Sequence, residues 1–329
     1  MNEPGPQDFS EKLARSGTLI GLDVGGTKTA VVEGTCDAEI LQRREFPTNA
    51  HLPFEEMFPT IAAMIDQTIA HAVEAGRDVK ALSVSIGGPL RIGEGVLIDP
   101  PHLPGWRHAR LKDRLTTRFP SLPVFIEHDG NAGALAEFHF GVGRDRTDLE
   151  HLVFLTFGTG LGAGLIINGR ILHGATDTAG ELGHLRLAPD GPVGFGKAGS
   201  WEGFASGAGL VELASHMFPR RWKPGTPIRE LVGAMLADDP EALAVATEAG
   251  TWMGRGMAFL VDTLNPQVIV LGTLAVVLGE RILAPARRVV AEESLPSAVA
   301  ACEILPAALG ERIGDVAALM AAITHLSHC

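Results

Sequence analysis

The chain has 329 residues and a net charge of −12, with 27 lysines and arginines against 39 aspartates and glutamates, a balance that argues against a nucleic-acid footprint because that needs a basic face. Hydrophobic residues make up 46% and charged residues 20%, so a large core is expected and disorder is not, and at roughly 150 residues per domain the length suggests two domains. Three scattered cysteines, Cys36, Cys302 and Cys329, support neither a disulfide framework nor a zinc cluster and fit a reducing cytoplasm.

Residues 1–17 read as a polar tail without the apolar core of a signal peptide, and no run of 18 or more apolar residues is present to span a membrane. Thr18 to Gly34 reads as a β-hairpin: an apolar run to Asp23, a Gly-Gly-Thr turn, and a returning run from Thr29. From Pro53 to Ala75 apolar residues fall at helical spacing, with Gly76 as the stop. ALSVSIGG is a buried strand running into Gly87, Gly88 and Pro89, and IDPPHLPGW is too rich in proline for a helix or central strand. Leu122 to Ile126 is a short strand that delivers Glu127, His128 and Asp129 to its end, and 131–140 is a helix. A second glycine hairpin spans His151 to Leu172. Helices follow over 205–218, 227–237 and 240–264, then a strand over Val268–Leu271 and closing helices over 279–293 and 312–326. Strands alternate with helices, so the class is α/β. LDVGGTKTAVV and LTFGTGLGAGL share one plan, which suggests two α/β halves that each open with a glycine hairpin.

Asp23, Gly25, Gly26, Thr27 and Lys28 form the first turn. It either reverses the chain only, or gathers backbone N–H groups, a hydroxyl and an ammonium around a phosphate, with Asp23 near Mg²⁺. The second turn, Gly158 to Gly164, is not a dinucleotide fingerprint, because a strand follows it, and no Walker A spacing occurs. What remains is a second backbone nest. Asp129, before a helix, is either an N-cap or a general base for a hydroxyl. Glu181 and His184 in GELGH, and Glu202 in GSWEGFASG, are glycine-flanked acceptors suited to sugar hydroxyls, and equally suited to solvent or structural hydrogen bonds. Trp106 and Trp201 either cover a sugar face or fill the core.

The ordered motifs LDVGGTK, GGP with PPHLPGW, EHDGNAGALAE, FGTGLGAGLIINGRILHG, AGELGH and NPQVIVLG resemble the ROK family of sugar kinases, within the actin-like ATPase superfamily. The resemblance covers Leu19 to the C-terminus. It implies an actin-like ATPase (ribonuclease H-like) fold with two lobes and a cleft: a small lobe of 18–126 completed by 312–329, and a large lobe of 127–311. It implies ATP with Mg²⁺, a small-molecule sugar as the other partner, no nucleic acid or membrane partner, a homodimer, and a cytoplasmic enzyme that phosphorylates a hexose, glucokinase-like, at the 6-hydroxyl. Asp129 falls on the catalytic base. Gly88, His102, His128, Glu181, His184 and Glu202 fall on sugar positions. The first turn matches one phosphate loop, Thr159, Gly160 and Gly162 match the other, and Gly272 falls near the adenosine site.

Two departures stand out. The family's zinc run reads Val193-Gly194-Phe195-Gly196-Lys197-Ala198-Gly199-Ser200-Trp201-Glu202, with Val193, Phe195 and Ser200 at the thiol positions. His184 alone cannot hold zinc, so a zinc-free loop is expected, with Phe195 packing in the metal's place. His102 and His128 stand where asparagine is usual, and an imidazole splits donor and acceptor across a larger ring, so sugar preference is expected to differ from that of an ordinary glucokinase. The rival readings are a ROK-type sugar-responsive regulator, disfavoured by the short segment before the first strand, and a non-catalytic sugar sensor.

Overall fold

The computed structural model describes residues 17–326. Of the expected tail, only Gly17 falls in this range. The described chain divides into two compact units: 17–136, 173–178 and 312–326 form the first, and 137–172 and 179–311 the second.

The first unit is built on a five-stranded sheet of β1 (Gly17–Val24), β2 (Lys28–Gly34), β3 (Ile40–Pro47), β4 (Asp78–Ile86) and β5 (Val124–His128), in the order β3-β2-β1-β4-β5. The β1/β2 and β2/β3 pairs are antiparallel, and β1/β4 and β4/β5 are parallel. Helix α1 (Phe54–Glu74) lies between β3 and β4 in the chain and buries Phe54, Met57, Phe58, Ile61 and Ile65. These join Ile20, Leu22, Val31, Leu82 and Val84 of the sheet in one core. Helices α2 (Leu111–Arg118) and α3 (Asp129–Phe140) flank β5 in sequence, and the last turn of α3 belongs to the second unit.

The second unit repeats the plan. Its sheet contains β6 (Leu152–Phe157), β7 (Leu161–Ile167), β8 (Arg170–Ile171), β9 (Val268–Leu271) and β10 (Glu303–Pro306), in the order β8-β7-β6-β9-β10. The first two pairings are again antiparallel and the last two parallel. The expected pair of halves is therefore visible as two sheets of one topology. Helices α4 (Trp201–Ala205), α5 (Gly207–Met217), α6 (Ile228–Leu236) and α7 (Pro240–Leu264) precede β9. Helix α7 shows why a sequence starts and stops a helix. Asp239 accepts the N–H of Ala242, Pro240 occupies the first turn, and Asn265 closes the helix in the left-handed region at φ 45°. Helices α8 (Leu274–Leu278), α9 (Glu280–Glu293) and α10 (Pro296–Ala301) complete the unit, and α11 (Ile313–Leu326) returns the chain to the first. There the N–H of Ala322 donates to Ser83 Oγ on β4 at 3.1 Å.

The structure corrects several sequence expectations. β3, α2, α10 and β10 were not expected, nor was the short helix α4 (Trp201–Ala205); the expected 205–218 helix is present as α5, Gly207–Met217. The Leu122–Ile126 strand runs instead from Val124 to His128, and the following helix begins at Asp129 itself. Trp106 and Trp201 are fully buried and belong to the core, not to a sugar platform. Among the described residues no helix is long and apolar enough to cross a membrane.

Candidate active site

In the first unit, three parallel strands end in register. Val24 of β1 pairs with Ile86 of β4, and Ile86 with His128 of β5. Their carboxyl ends thus form one sheet edge, where α/β folds gather ligands. Each strand runs directly into candidate residues. β1 carries Asp23 and leads to Gly25, Gly26, Thr27 and Lys28; β4 leads to Gly87 and Gly88; β5 carries His128 and leads to Asp129.

The side chain of Asp129 is half exposed. Its Oδ1 accepts the N–H of Gly130 at 2.7 Å, so the carboxylate is oriented while Oδ2 is left toward Gly87, just past β4. A Cβ on Gly87 would sit 3.4 Å from Asp129 Oδ2, and one on Gly88 would come within 2.7 Å of the His128 ring. The glycines therefore keep open the space in front of the acid and let the imidazole pack against backbone. On the first turn, a Cβ on Gly26 would sit 2.6 Å from the carbonyl oxygen of His102, so the proline-rich loop lies on the glycine turn. His102 itself is exposed. Lys28 is exposed and lies 3.6 Å from Glu45.

The carboxyl of Asp23 is pushed up to about 7, first by burial, then by the negative charges of Asp129 and Asp315, against the opposing pull of Lys28 and Arg43. Such a group seeks either a proton or a cation. Asp315 was not singled out in the sequence; it stands on α11 and pairs with Arg43 at 2.9 Å. Behind Asp129, Glu127 is buried and accepts from the N–H of His128 and from Asn131 Nδ2, both at 2.9 Å. His173 Nε2 meets its other oxygen at 2.9 Å. Sequence reasoning placed Glu127 at a strand end but gave it no role, and it missed His173, whose signal was only the polar residue in ILHG.

The second unit holds the remaining candidates. The turn between β6 and β7 contains Gly158, Thr159 and Gly160, and Gly162 follows on β7. The N–H of Gly207, the first residue of α5, donates to Gly158 O at 2.8 Å. This sets the start of an eleven-residue helix beside the glycine turn. A pocket of about 540 Å³ opens there, lined by Phe157, Gly158, Thr159, Gly207, Ala208 and Thr273 among others. Gly272 precedes Thr273 and bonds through its N–H to Leu155 O. The α5 residues were missed in sequence, though Ser206 caps that helix by accepting from Gly209 N–H.

Glu202 and the segment that carries Glu181 and His184 pack against the start of β7. Glu202 Oε2 accepts the N–H of Leu161 at 2.9 Å. A Cβ on Gly183 would lie 2.9 Å from Leu161 O, 3.0 Å from the Phe195 ring and 3.4 Å from Glu202 Cβ. Phe195 stacks on His184 with ring centroids 3.9 Å apart. Ser200 Oγ accepts from Gly194 N–H and Gly203 N–H and donates to Gly194 O. Lys197 Nζ donates to His184 O at 2.7 Å. This loop does not fit zinc: a ring covers the imidazole, the serine hydroxyl is committed to backbone, and Val193 offers no donor. Among the described residues no group of three or more His, Cys, Asp or Glu could hold a metal ion. Mg²⁺ accompanying a nucleotide is a different matter, since a single carboxylate such as Asp23 suffices beside phosphate oxygens.

Comparison with known proteins gives one consistent result. The family described as "ROK family" matches residues 19–324. The glucokinase of Streptomyces coelicolor is 32% identical over 291 residues, covering 83% of this chain and 86% of the relative. The N-acetylmannosamine kinase of Citrobacter koseri is 30% identical, covering 84% and 89%. Among solved structures, the ROK hexokinase from Thermus thermophilus is 32% identical with a TM-score of 0.76, covering 94% of this chain and 99% of that one. The ROK family glucokinase from Streptomyces griseus, in complex with glucose and AMPPNP, is 31% identical with a TM-score of 0.73, covering 92% and 98%.

Proposed function

We propose, from the premise that this chain belongs to the ROK family and is an ATP-dependent sugar kinase, that it phosphorylates a hexose at the 6-hydroxyl with Asp129 as general base. The observation that carries this is the shared sheet edge: the Asp129 carboxylate, the Gly87–Gly88 opening and the Asp23 turn stand on three strand ends in register. The sugar hydroxyl donates to Asp129, its oxygen attacks the γ-phosphorus in line, the proton passes to the carboxylate, and ADP leaves. In the first unit Gly25, Gly26, Thr27 and Lys28, and in the second Thr159, Gly160 and Gly162, are each suited to phosphate oxygens through backbone N–H groups, a hydroxyl and, at Lys28, an ammonium. The apolar pocket beside α5 takes the adenosine. Asp23 is the group suited to Mg²⁺, which when bound neutralises phosphate charge. In the first unit Gly88, His102 and His128, and in the second Glu181, His184 and Glu202, are the residues suited to sugar hydroxyls. The zinc of the family is replaced by the Phe195–His184 stack, and the protein works as a cytoplasmic homodimer.

An ADP-release assay with Mg·ATP across glucose, mannose, allose, fructose and N-acetylated hexosamines tests this reading. Turnover with a hexose supports it. Binding of a sugar without turnover on any of them assigns the chain to sugar sensing instead.

A further inference from the structure

Glu127 is 4% exposed, yet it is not a passive core residue. Its Oε1 accepts the backbone N–H of His128 and the side-chain amide of the buried Asn131, which ties the last residue of β5 to the first turn of α3. Asp129 lies between His128 and Asn131, followed by Gly130. The conformation of this corner therefore depends on where the Glu127 carboxylate points. Its second oxygen, Oε2, is held at 2.9 Å by His173 Nε2. His173 opens the segment 173–178, which belongs to the first unit although the chain on either side belongs to the second. Asp177, at the far end of that segment, accepts the N–H of Ile92 at 2.9 Å, so the segment is fastened at both ends.

We propose that His173 is a positioning residue for phosphoryl transfer: its Nε2–H fixes the Glu127 carboxylate, which in turn holds the His128–Asp129 corner where Asp129 takes the sugar proton. The inference rests on Asp129 being the general base. It assigns a role to a side chain remote in sequence from the site and outside every binding position derived above. The charged groups facing His173 are Glu127 and, on its own segment, Asp177. The hydrogen bond to Glu127 raises the imidazole above its ordinary value, burial opposes this, and the charges of Glu127 and Asp177 add to the rise. The protonated ring is thus favoured beside the buried carboxylate, and it donates from Nε2 in either state provided the neutral tautomer carries its proton there.

The test uses the full-length enzyme with Mg·ATP and its best hexose. His173→Leu removes the donor. His173→Gln places an amide N–H near the position of Nε2 without the charge. We expect kcat of His173→Leu to fall about 10- to 100-fold, the cost of a small misplacement of a reacting group, with sugar KM changed by less than about threefold on the same argument. His173→Gln should recover most of the loss. Combining His173→Leu with Glu127→Gln should cost little more than either alone, because both act through one contact. In NMR titrations of the free enzyme, Glu127→Gln should return His173 toward an ordinary histidine. Wild-type kcat in His173→Leu, failure of glutamine to rescue, additivity of the double variant, or loss of a cooperative melt in His173→Leu would each overturn the proposal. Asp129→Asn is measured alongside. If it retains turnover, the underlying reading fails; if it is inactive while His173→Leu is fully active, only the role of His173 fails.

Discussion

His128 Nδ1 and Asp129 Oδ1 lie 3.3 Å apart and share one donor, the N–H of Gly130, at 3.2 and 2.7 Å respectively. A neutral His128 that accepts this N–H at Nδ1 carries its proton on Nε2, on the side of the ring where Gly88 lacks a Cβ. The imidazole thus offers a donor where an asparagine would offer both a donor and an acceptor. His102, whose carbonyl oxygen would meet a Cβ on Gly26, stands beside the first glycine turn. In the His102→Asn, His128→Asn double variant, the ranking of hexoses by kcat/KM should change, by roughly 1–3 kcal/mol for the sugar whose hydroxyl loses its partner. An unchanged ranking across the hexose panel would remove both histidines from specificity.

Asp129→Asn keeps the shape of the side chain and its bond from Gly130 but cannot take a proton. Phosphoryl transfer should fall by roughly 10²–10⁴-fold, the usual cost of losing a general base. Sugar affinity, measured by calorimetry without nucleotide, should change little. A kcat close to wild type would exclude Asp129 from this role.

Asp23 carries a predictable pH dependence of stability. Its carboxyl rises from 3.8 in the unfolded chain to about 7 in the fold, chiefly through burial. The folded state therefore binds the proton more tightly than the unfolded state does. That contribution is fully present below the lower value and is lost as pH rises through the upper one. Relative to wild type, Asp23→Asn should gain melting temperature between pH 5 and pH 8, by a few degrees, while losing phosphoryl transfer. Parallel melting curves for the two proteins across that interval would contradict the burial argument.

The loop around His184 should be indifferent to chelators. Exhaustive zinc chelation, followed by restoration of Mg²⁺, should leave kcat and melting temperature unchanged, and elemental analysis should find no stoichiometric zinc. Phe195→Ala should instead loosen the loop, losing about 0.5–1.5 kcal/mol of ring stacking, and raise sugar KM. Stoichiometric zinc in protein purified without added metal would show a ligand set other than the one described.

Much of the fold was legible because local chemistry and tertiary packing agree. α7 occupies the expected 240–264 and β9 the expected Val268–Leu271, since a cap, a proline and a left-handed asparagine delimit one and a short apolar run the other. β3 was not legible: ILQRREFP is an edge strand with no buried residue and with Arg43 and Glu45 exposed, so it lacks the apolar signature of its neighbours. α2 was missed because only Leu111 and Leu115 of its eight residues are buried. At the site, glycine turns and Asp129 are local motifs and could be read directly. The Glu127–His173 contact joins residues 46 apart, and Asp315 reaches Arg43 across 272, so neither pairing leaves a local pattern. Trp106 and Trp201 misled in the other direction, because an indole suits a sugar face and a core equally well.

The Phe195–His184 stack and the Ser200 hydroxyl close a loop that contains no cysteine from Glu181 to Glu202. A thiolate-bound loop becomes ordered only once it is loaded, and peroxide can strip it by oxidising the sulfur. A ring stack forms as the chain folds and offers peroxide no thiolate. On the zinc-free reading proposed above, the geometry around His184 depends neither on metal supply nor on the redox state of the surrounding solution.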